Sequence, residues 1–297
     1  MDASKAAAAG STGNAGTPGP PSGPPKGPTP GPPKGPTPGP PKGAGWQIDP
    51  RYLSSGLITL ILVSGQLYVG FLHDLSQLFT AIAAALAAEL TLGRLLTGRW
   101  LNPASAYITG ISCGILLRSL ALWPYAIASL LSILSKYVLR FRGRHLWNPS
   151  NLGICVVLFA APGTVAALSE QWGNDLWAMA VIWVLGSVIL WRAKRFHVTF
   201  TYAASFVALA YVRSLMTGTP FLSEVAPITG PMYQLMAFFM VTDPATSVSS
   251  RNGRIGVAFL VALAEMILRL FEIVNAPLYA LFLVGPAAKI LDLRRSA

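Results

Sequence analysis

Arg140-Phe141-Arg142-Gly143-Arg144-His145-Leu146-Trp147-Asn148-Pro149-Ser150-Asn151-Leu152-Gly153 carries a basic cluster straight into an Asn-Pro pair and then into apolar sequence. Proline is favoured at the first helical position, and an Asn before it caps free backbone N–H groups. The stretch therefore marks a helix N-terminus on which amides and positive side chains converge. Basic residues flanking an apolar run read as the border of a membrane span, so that N-terminus is expected at a bilayer surface. Met240-Val241-Thr242-Asp243-Pro244-Ala245-Thr246-Ser247 repeats the Asx-Pro form further along the chain.

Composition widens that reading to the whole chain. The 297 residues are 53% hydrophobic and only 11% charged, where soluble domains carry about 25% charged residues. Mean hydropathy is positive. The charge deficit begins after Arg51, where apolar runs follow one another. Net charge is +11, but the positives sit between apolar runs and in the N-terminal tail rather than on one amphipathic face, which argues against nucleic acid as a partner. Cys113 and Cys155 lie inside apolar runs without a neighbouring Cys or His at ligand spacing, so no metal site is expected.

Residues 1–48 form a separate regime rich in Gly, Pro, Ala, Ser and Thr. The octad Gly-Pro-Pro-Lys-Gly-Pro-Thr-Pro starts at Gly23 and again at Gly31, then half-repeats at Gly39. Collagen requires Gly at every third position, so this tail is expected to be a disordered, polyproline-like cytoplasmic segment held near anionic lipid by Lys26, Lys34 and Lys42.

The remainder, 49–297, reads as an all-α polytopic membrane protein. Spans of the roughly 20 residues a bilayer needs, or somewhat fewer, are expected at 52–72, 76–98, 102–118, 121–140, 149–168, 175–191, 196–215, 226–242, 253–272 and 276–292. Alternation of sides then puts fourteen basic residues on the inner face, from Arg94 to Arg295, against Arg118, Arg213 and Arg269 outside. That imbalance supports ten transmembrane helices with both termini cytoplasmic. Tyr107-Ile108-Thr109-Gly110 opens the third span and Pro227-Ile228-Thr229-Gly230 the eighth. Both spans are short, and they hold matching places in two pseudo-symmetric five-helix halves running in opposite directions. Short, Gly/Pro-interrupted spans in such positions point to a midplane site.

Glu89 and Glu265 are the acids deepest in apolar sequence. An ionised carboxylate there must be paired, face the bundle interior or take a proton. Glu265 has Arg269 one turn on, whereas Glu89 has no local cation at that spacing. A proton or ion relay and a structural ion pair both remain open for these two residues. His73, His145 and His197 fall at span ends. Gly110 to Gly114 and Ala81 to Ala88 read as close-packing helix faces. No hydrolytic triad, phosphate-binding loop or dinucleotide fingerprint is present, and no catalytic residue is assigned. At the Asx-Pro stretches, capping accounts for one polar residue each. Asn148, Ser150 and Asn151, with Thr242, Asp243 and Thr246, could equally line a polar pocket between two helix ends.

The order Ile108-Thr109-Gly110, then Asn148-Pro149-Ser150-Asn151-Leu152-Gly153, then Phe238-Phe239-Met240-Val241-Thr242-Asp243-Pro244-Ala245-Thr246-Ser247 resembles the RnfD/NqrB family. Its members are integral membrane components of Rnf and Na+-translocating NADH:quinone reductase complexes. The resemblance covers roughly residues 50–295. It implies a multi-pass protein of the bacterial cytoplasmic membrane, with flavin bound in the bundle and electrons passing between the two membrane faces. It also implies other membrane subunits as partners. Cofactor-binding positions carried over by the motifs are Thr109, Gly110, Asn148, Pro149, Ser150, Asn151, Thr242, Asp243 and Thr246. Family members with covalent FMN carry it on a Ser-Gly-Ala-Thr loop. Here the corresponding loop reads Ala161-Pro162-Gly163-Thr164-Val165-Ala166-Ala167-Leu168-Ser169-Glu170, so any FMN or riboflavin is expected to be non-covalent. The basic-Gly-basic-His run before Asn-Pro-Ser-Asn is similar to a divergent stand-alone branch, the RnfD-like proteins found beside enediyne biosynthesis genes. A non-redox transporter or accessory membrane protein that kept the fold is the alternative.

Overall fold

The computed structural model describes residues 50–69, 74–167 and 176–295. The tail, His73, and the loop bearing Ser169 and Glu170 lie outside the described residues. The described chain is almost wholly helical. Helices α1 (Pro50–Val69), α2 (Leu75–Thr97), α3 (Ala104–Leu116), α4 (Trp123–Val138) and α5 (Pro149–Ala160) are followed by α6 (Leu176–Ala193) and α7 (Phe196–Thr217). A broken segment comes next: α8 (Phe221–Val225), a 3-10 turn Ala226–Thr229, α9 (Pro231–Leu235) and a π-helical turn Met236–Met240. Helices α10 (Arg251–Leu270) and α11 (Ala276–Arg295) complete it.

Local chemistry sets the ends. Asp74 caps α2, accepting from the Ser76 N–H at 2.8 Å, and Gly98 closes it in the left-handed region (φ 68°); these are the residue types such ends require. Ser250 caps α10 through the Gly253 N–H. Helices α2, α7 and α11 are long and apolar enough to cross a membrane, and α3 and α5 are shorter apolar helices. Outward apolar side chains such as Leu67, Leu95, Phe200 and Leu283 are more than half exposed. Such a surface suits a bilayer rather than water, and the architecture is that of a helical membrane protein.

Packing follows small residues. A side chain on Gly110 would lie 2.6 Å from the Ile82 Cα, and one on Gly114 2.8 Å from Leu78, so α3 lies directly on α2. A side chain on Gly153 would meet the Ala128 carbonyl at 2.1 Å, which fixes α5 against α4. The expected Ala face of α2 is buried at Ala81, Ala85 and Ala88. Elsewhere α7 packs on α10, α10 on α11, α1 on α6, and α5 on α11.

Two expectations are corrected. The fifth span does not run to residue 168: α5 stops at Ala160 after 12 residues, about 18 Å of helix. Extended Ala166–Ala167 (β4) then pairs with Leu117–Arg118 (β1), which directly follows α3, itself only 13 residues long. The eighth span is divided into 3-10, α and π turns, because Pro227 and Pro231 interrupt its amide ladder. The basic run before Asn148 is a hairpin, Arg140–Phe141 (β2) against Arg144–His145 (β3), turning through Arg142 (φ 50°) and Gly143 (φ 74°). Two consecutive left-handed residues make the turn whose twist matches its strands.

Candidate functional site

The two Asx-Pro stretches meet. Asn148 caps α5, its Oδ1 accepting from the Asn151 N–H at 3.1 Å and from the Ser150 hydroxyl at 2.9 Å. Its amide Nδ2 donates to Asp243 Oδ2 at 3.4 Å, across 95 residues of sequence. Asp243 also accepts from the Ala245 N–H and the Thr246 hydroxyl, both at 3.0 Å. Asp243-Pro244 therefore forms an Asx turn after the π turn, not a helix start. Among the described residues Asp243 forms no ion pair, with neither Arg251 nor Arg254. Thr242 is buried, its hydroxyl donating to the Phe238 carbonyl at 2.5 Å.

Helix α11 is the wall behind this junction. Asn151, 1% exposed, donates from Nδ2 to the Leu278 carbonyl at 3.0 Å, and Cys155 Sγ reaches the same carbonyl at 3.5 Å. Pro286 interrupts α11 and, having no N–H, leaves the Phe282 carbonyl four residues back without its helical donor. Trp147 Nε1 donates to that carbonyl at 3.0 Å. Arg142 donates to the Leu293 carbonyl at 2.6 Å, where the helix dipole favours a cation. Lys289 Nζ donates to the Ser247 carbonyl at 2.6 Å. The hairpin, the α5 start and the Asp243 turn are thus tied to one helix.

The polar field around the junction reaches further. Glu89 pairs with Lys136 at 3.1 Å and accepts from the Tyr137 hydroxyl at 3.1 Å; Lys136 also donates to Ser105. Lys136, one of the fourteen basic residues that the sequence assigns to the inner face, is thus no loop charge but 8% exposed within α4. His145 lies within Coulombic reach of Glu89, Lys136 and Asp243, and its Nδ1 is buried without a partner. Burial, with Arg140 and Lys136 beside it, holds the His145 imidazole below its ordinary range. Burial pushes the Asp243 carboxyl above the usual carboxylate range, while the Ala245 and Thr246 bonds and the charges of His145 and Arg195 pull the other way.

Thr109 and Gly110 are not drawn into the junction by any bond. Thr109 donates to the Ser105 carbonyl one turn back at 2.8 Å, and Gly110 serves the α2–α3 contact. Glu265 is also elsewhere. It is fully buried, accepting from Tyr202 at 2.7 Å, Tyr233 at 2.5 Å and Arg269 at 3.0 Å. Arg213 and Glu224 form a pair close by in α7 and α8. The expected Glu265–Arg269 pair is present, but Lys136, Tyr137, Tyr202 and Tyr233 carry no local sequence signal. Thr164 is exposed, bonded to the Ala161 carbonyl at 3.3 Å.

No family model matches the chain. Among curated proteins, 109 residues, 37% of the chain, are 26% identical to the D subunit of an ion-translocating oxidoreductase complex from Citrobacter koseri. The same length and identity hold for the corresponding protein of Escherichia coli, which bears the same name. In each case the chain spans 30% of the relative's length. The chain is thus a helical membrane protein distantly similar to the D subunits of ion-translocating oxidoreductase complexes.

Proposed function

We propose that the chain is an RnfD-like membrane subunit serving transmembrane electron transfer or coupled ion movement, and that a flavin binds non-covalently at the Asn148–Asp243 junction. The observation that carries this is the junction itself, which joins the two stretches most specific to the resemblance. The packing supports ten spans in two five-helix halves: α2 on α4 and α4 on α5 are matched by α7 on α10 and α10 on α11, while α1 meets α6. The charge imbalance supports cytoplasmic termini and a cytoplasmic position for the junction.

The donor set suits a flavin's pyrimidine edge, which presents carbonyl acceptors beside an N–H donor. Asn148 offers an amide that both donates and accepts, Asp243 an acceptor, and His145 a ring nitrogen that has no partner. At 3.4 Å the Asn148–Asp243 bond is long and therefore weak, so a ligand can replace it. The chemistry a bound flavin supplies is one- and two-electron transfer. The chain's own contribution is to hold the ring edge and, through Asp243 and His145, to keep titratable groups beside it.

A second reading, a transporter or accessory subunit without redox chemistry, is favoured by the same side chains closing on one another and by the loop at Thr164 lacking Ser-Gly-Ala-Thr. Spectroscopy separates the two. The redox reading expects flavin absorbance in the purified full chain, or after incubation with riboflavin or FMN, lost in Asp243→Leu protein that keeps its helix content. No flavin retained under any condition leaves the second reading standing.

A further inference from the structure

Beyond the junction, the flank formed by α6, α7 and the broken segment carries a second site. A cavity of about 700 Å³ opens there, walled by Trp183, Phe200, Ala203, Ile228 and Phe238. It shares Phe196, His197 and Arg251 with an adjoining cavity of about 500 Å³, whose other walls are Trp191, Arg192 and Lys194. Together they form an apolar chamber with a basic mouth, and both volumes fall in the range of about 300–1,000 Å³ usual for ligand sites. Trp183 and Phe200 are 48% and 76% exposed, so the chamber opens on the surface that faces lipid.

The mouth is short of counter-charge: Asp243 lies within Coulombic reach of Arg195 but forms no ion pair with it. Arg192, Lys194, Arg195, Arg251 and Arg254 form no ion pair with any described carboxylate. Arg195 Nη1, His197 Nε2 and Arg254 Nε are buried without a hydrogen-bond partner. His197 is within Coulombic reach of Arg195, Arg251 and Arg254. Helices α7 and α10 both begin here, at Phe196 and Arg251, and bring N–H groups without an intrahelical acceptor. Within the chamber wall, Gln234 is 4% exposed and its Oε1 has no donor. Unpartnered buried donors and crowded like charges are both destabilising. One anion in the mouth relieves both.

We propose that this site binds an anionic phospholipid, its phosphodiester in the mouth between Arg192, His197 and Arg251 and one acyl chain in the chamber. The charge selects the headgroup, and the contiguous apolar chamber selects a phosphate that carries a chain over free phosphate. Arg gives planar, multidentate contacts to phosphate oxygens.

Native mass spectrometry of the full chain in detergent, after delipidation, tests this with phosphatidylglycerol, phosphatidylcholine and inorganic phosphate added separately. One phosphatidylglycerol is expected to stay bound, with little phosphatidylcholine and no lasting phosphate adduct. The Arg192→Gln/Arg251→Gln double variant should weaken phosphatidylglycerol retention roughly thirtyfold, given about 1 kcal/mol for each basic residue at an anionic lipid surface. Ala203→Phe, which fills the chamber, should weaken it while leaving the mouth intact. Circular dichroism establishes that each variant is folded, and the lipid comparison on unaltered protein stands without the variants. Equal retention of the two lipids overturns the proposal. So does phosphate binding as firmly as phosphatidylglycerol, or folded variants that hold the lipid as before.

Discussion

Glu89 and Glu265 are both buried carboxylates, in separate polar clusters of the bundle, and the chain holds them differently. Glu265 joins three elements: its own cation Arg269 on α10, Tyr202 on α7 and Tyr233 on α9. Three donors, two hydroxyls and a guanidinium, converge on it. Glu89 pairs α2 with α4 through Lys136 and Tyr137, and Lys136 keeps a second partner in Ser105. Around it the polar groups are less completely matched. His145 Nδ1, within Coulombic reach of Glu89, has no partner, and Asn148 reaches Asp243 only at 3.4 Å. The Glu265 cluster is a closed structural lock, whereas the Glu89 cluster keeps hydrogen-bonding capacity for something else.

The largest expected effect tests that contrast. Glu265→Ala leaves Tyr202 and Arg269 without their carboxylate, although Arg269 Nη2 keeps the Tyr233 hydroxyl, and removing one member of a buried ion pair costs about 3–5 kcal/mol. Glu89→Ala should cost less, because two bonds are lost there, from Lys136 and Tyr137, against three at Glu265. Thermal unfolding of the two variants in the same detergent reads the difference. Equal losses would show that the two clusters are built alike.

Much of the Asn148 junction is legible in the sequence, because a cap is a local signal. Asn148-Pro149 announces a helix start, and the same Asx-Pro form marks its counterpart at Asp243. The i, i+4 spacing of Glu265 and Arg269 is legible for the same reason. Lys136, Tyr202 and Tyr233 are not, since each meets its carboxylate from another helix, across 47, 63 and 32 residues. Lys136 also reads as a border charge, standing one turn from Arg140 in a run that the sequence alone gives no reason to bury. The hairpin at Arg142-Gly143 has no sequence signature because two-residue strands leave no alternation to see. The broken segment is visible as weakness around Pro227 and Pro231, but its division into 3-10 and π turns depends on packing. Gly186 shows why: a side chain there would lie 2.6 Å from Phe238.

A smaller effect separates capping from the junction. Asn148→Ala removes both the α5 cap and the contact to Asp243, and loss of an N-cap costs about 1 kcal/mol. Asn148→Asp keeps an equally good cap but sets two carboxyl groups against each other. If Asn148 only caps, the Asp variant should unfold at the wild-type temperature across the pH range. If the junction matters, the Asp variant should approach wild type in mild acid, where a shared proton joins the carboxyls, and fall below it near neutrality.

Asp243 itself gives the smallest and most specific signal. Burial raises its folded pKa above the ordinary carboxylate value, so the folded state binds this proton more tightly than the unfolded chain. Its contribution to stability is then fully present below the unfolded pKa and is lost as pH rises through the folded one. Asp243→Asn removes the titration while keeping the Oδ1 that accepts from the Ala245 N–H. The unfolding temperature of wild type relative to this variant should therefore fall as pH climbs from the ordinary Asp range through the raised value, and level off beyond it. A carboxyl stretch in the infrared, absent from the variant, should vanish over the same interval. A difference that rises with pH would place Asp243 among carboxylates stabilised as anions. Arg195 would then outweigh burial at the junction, and the weak Asn148 bond would be a charged contact rather than one a ligand readily exchanges.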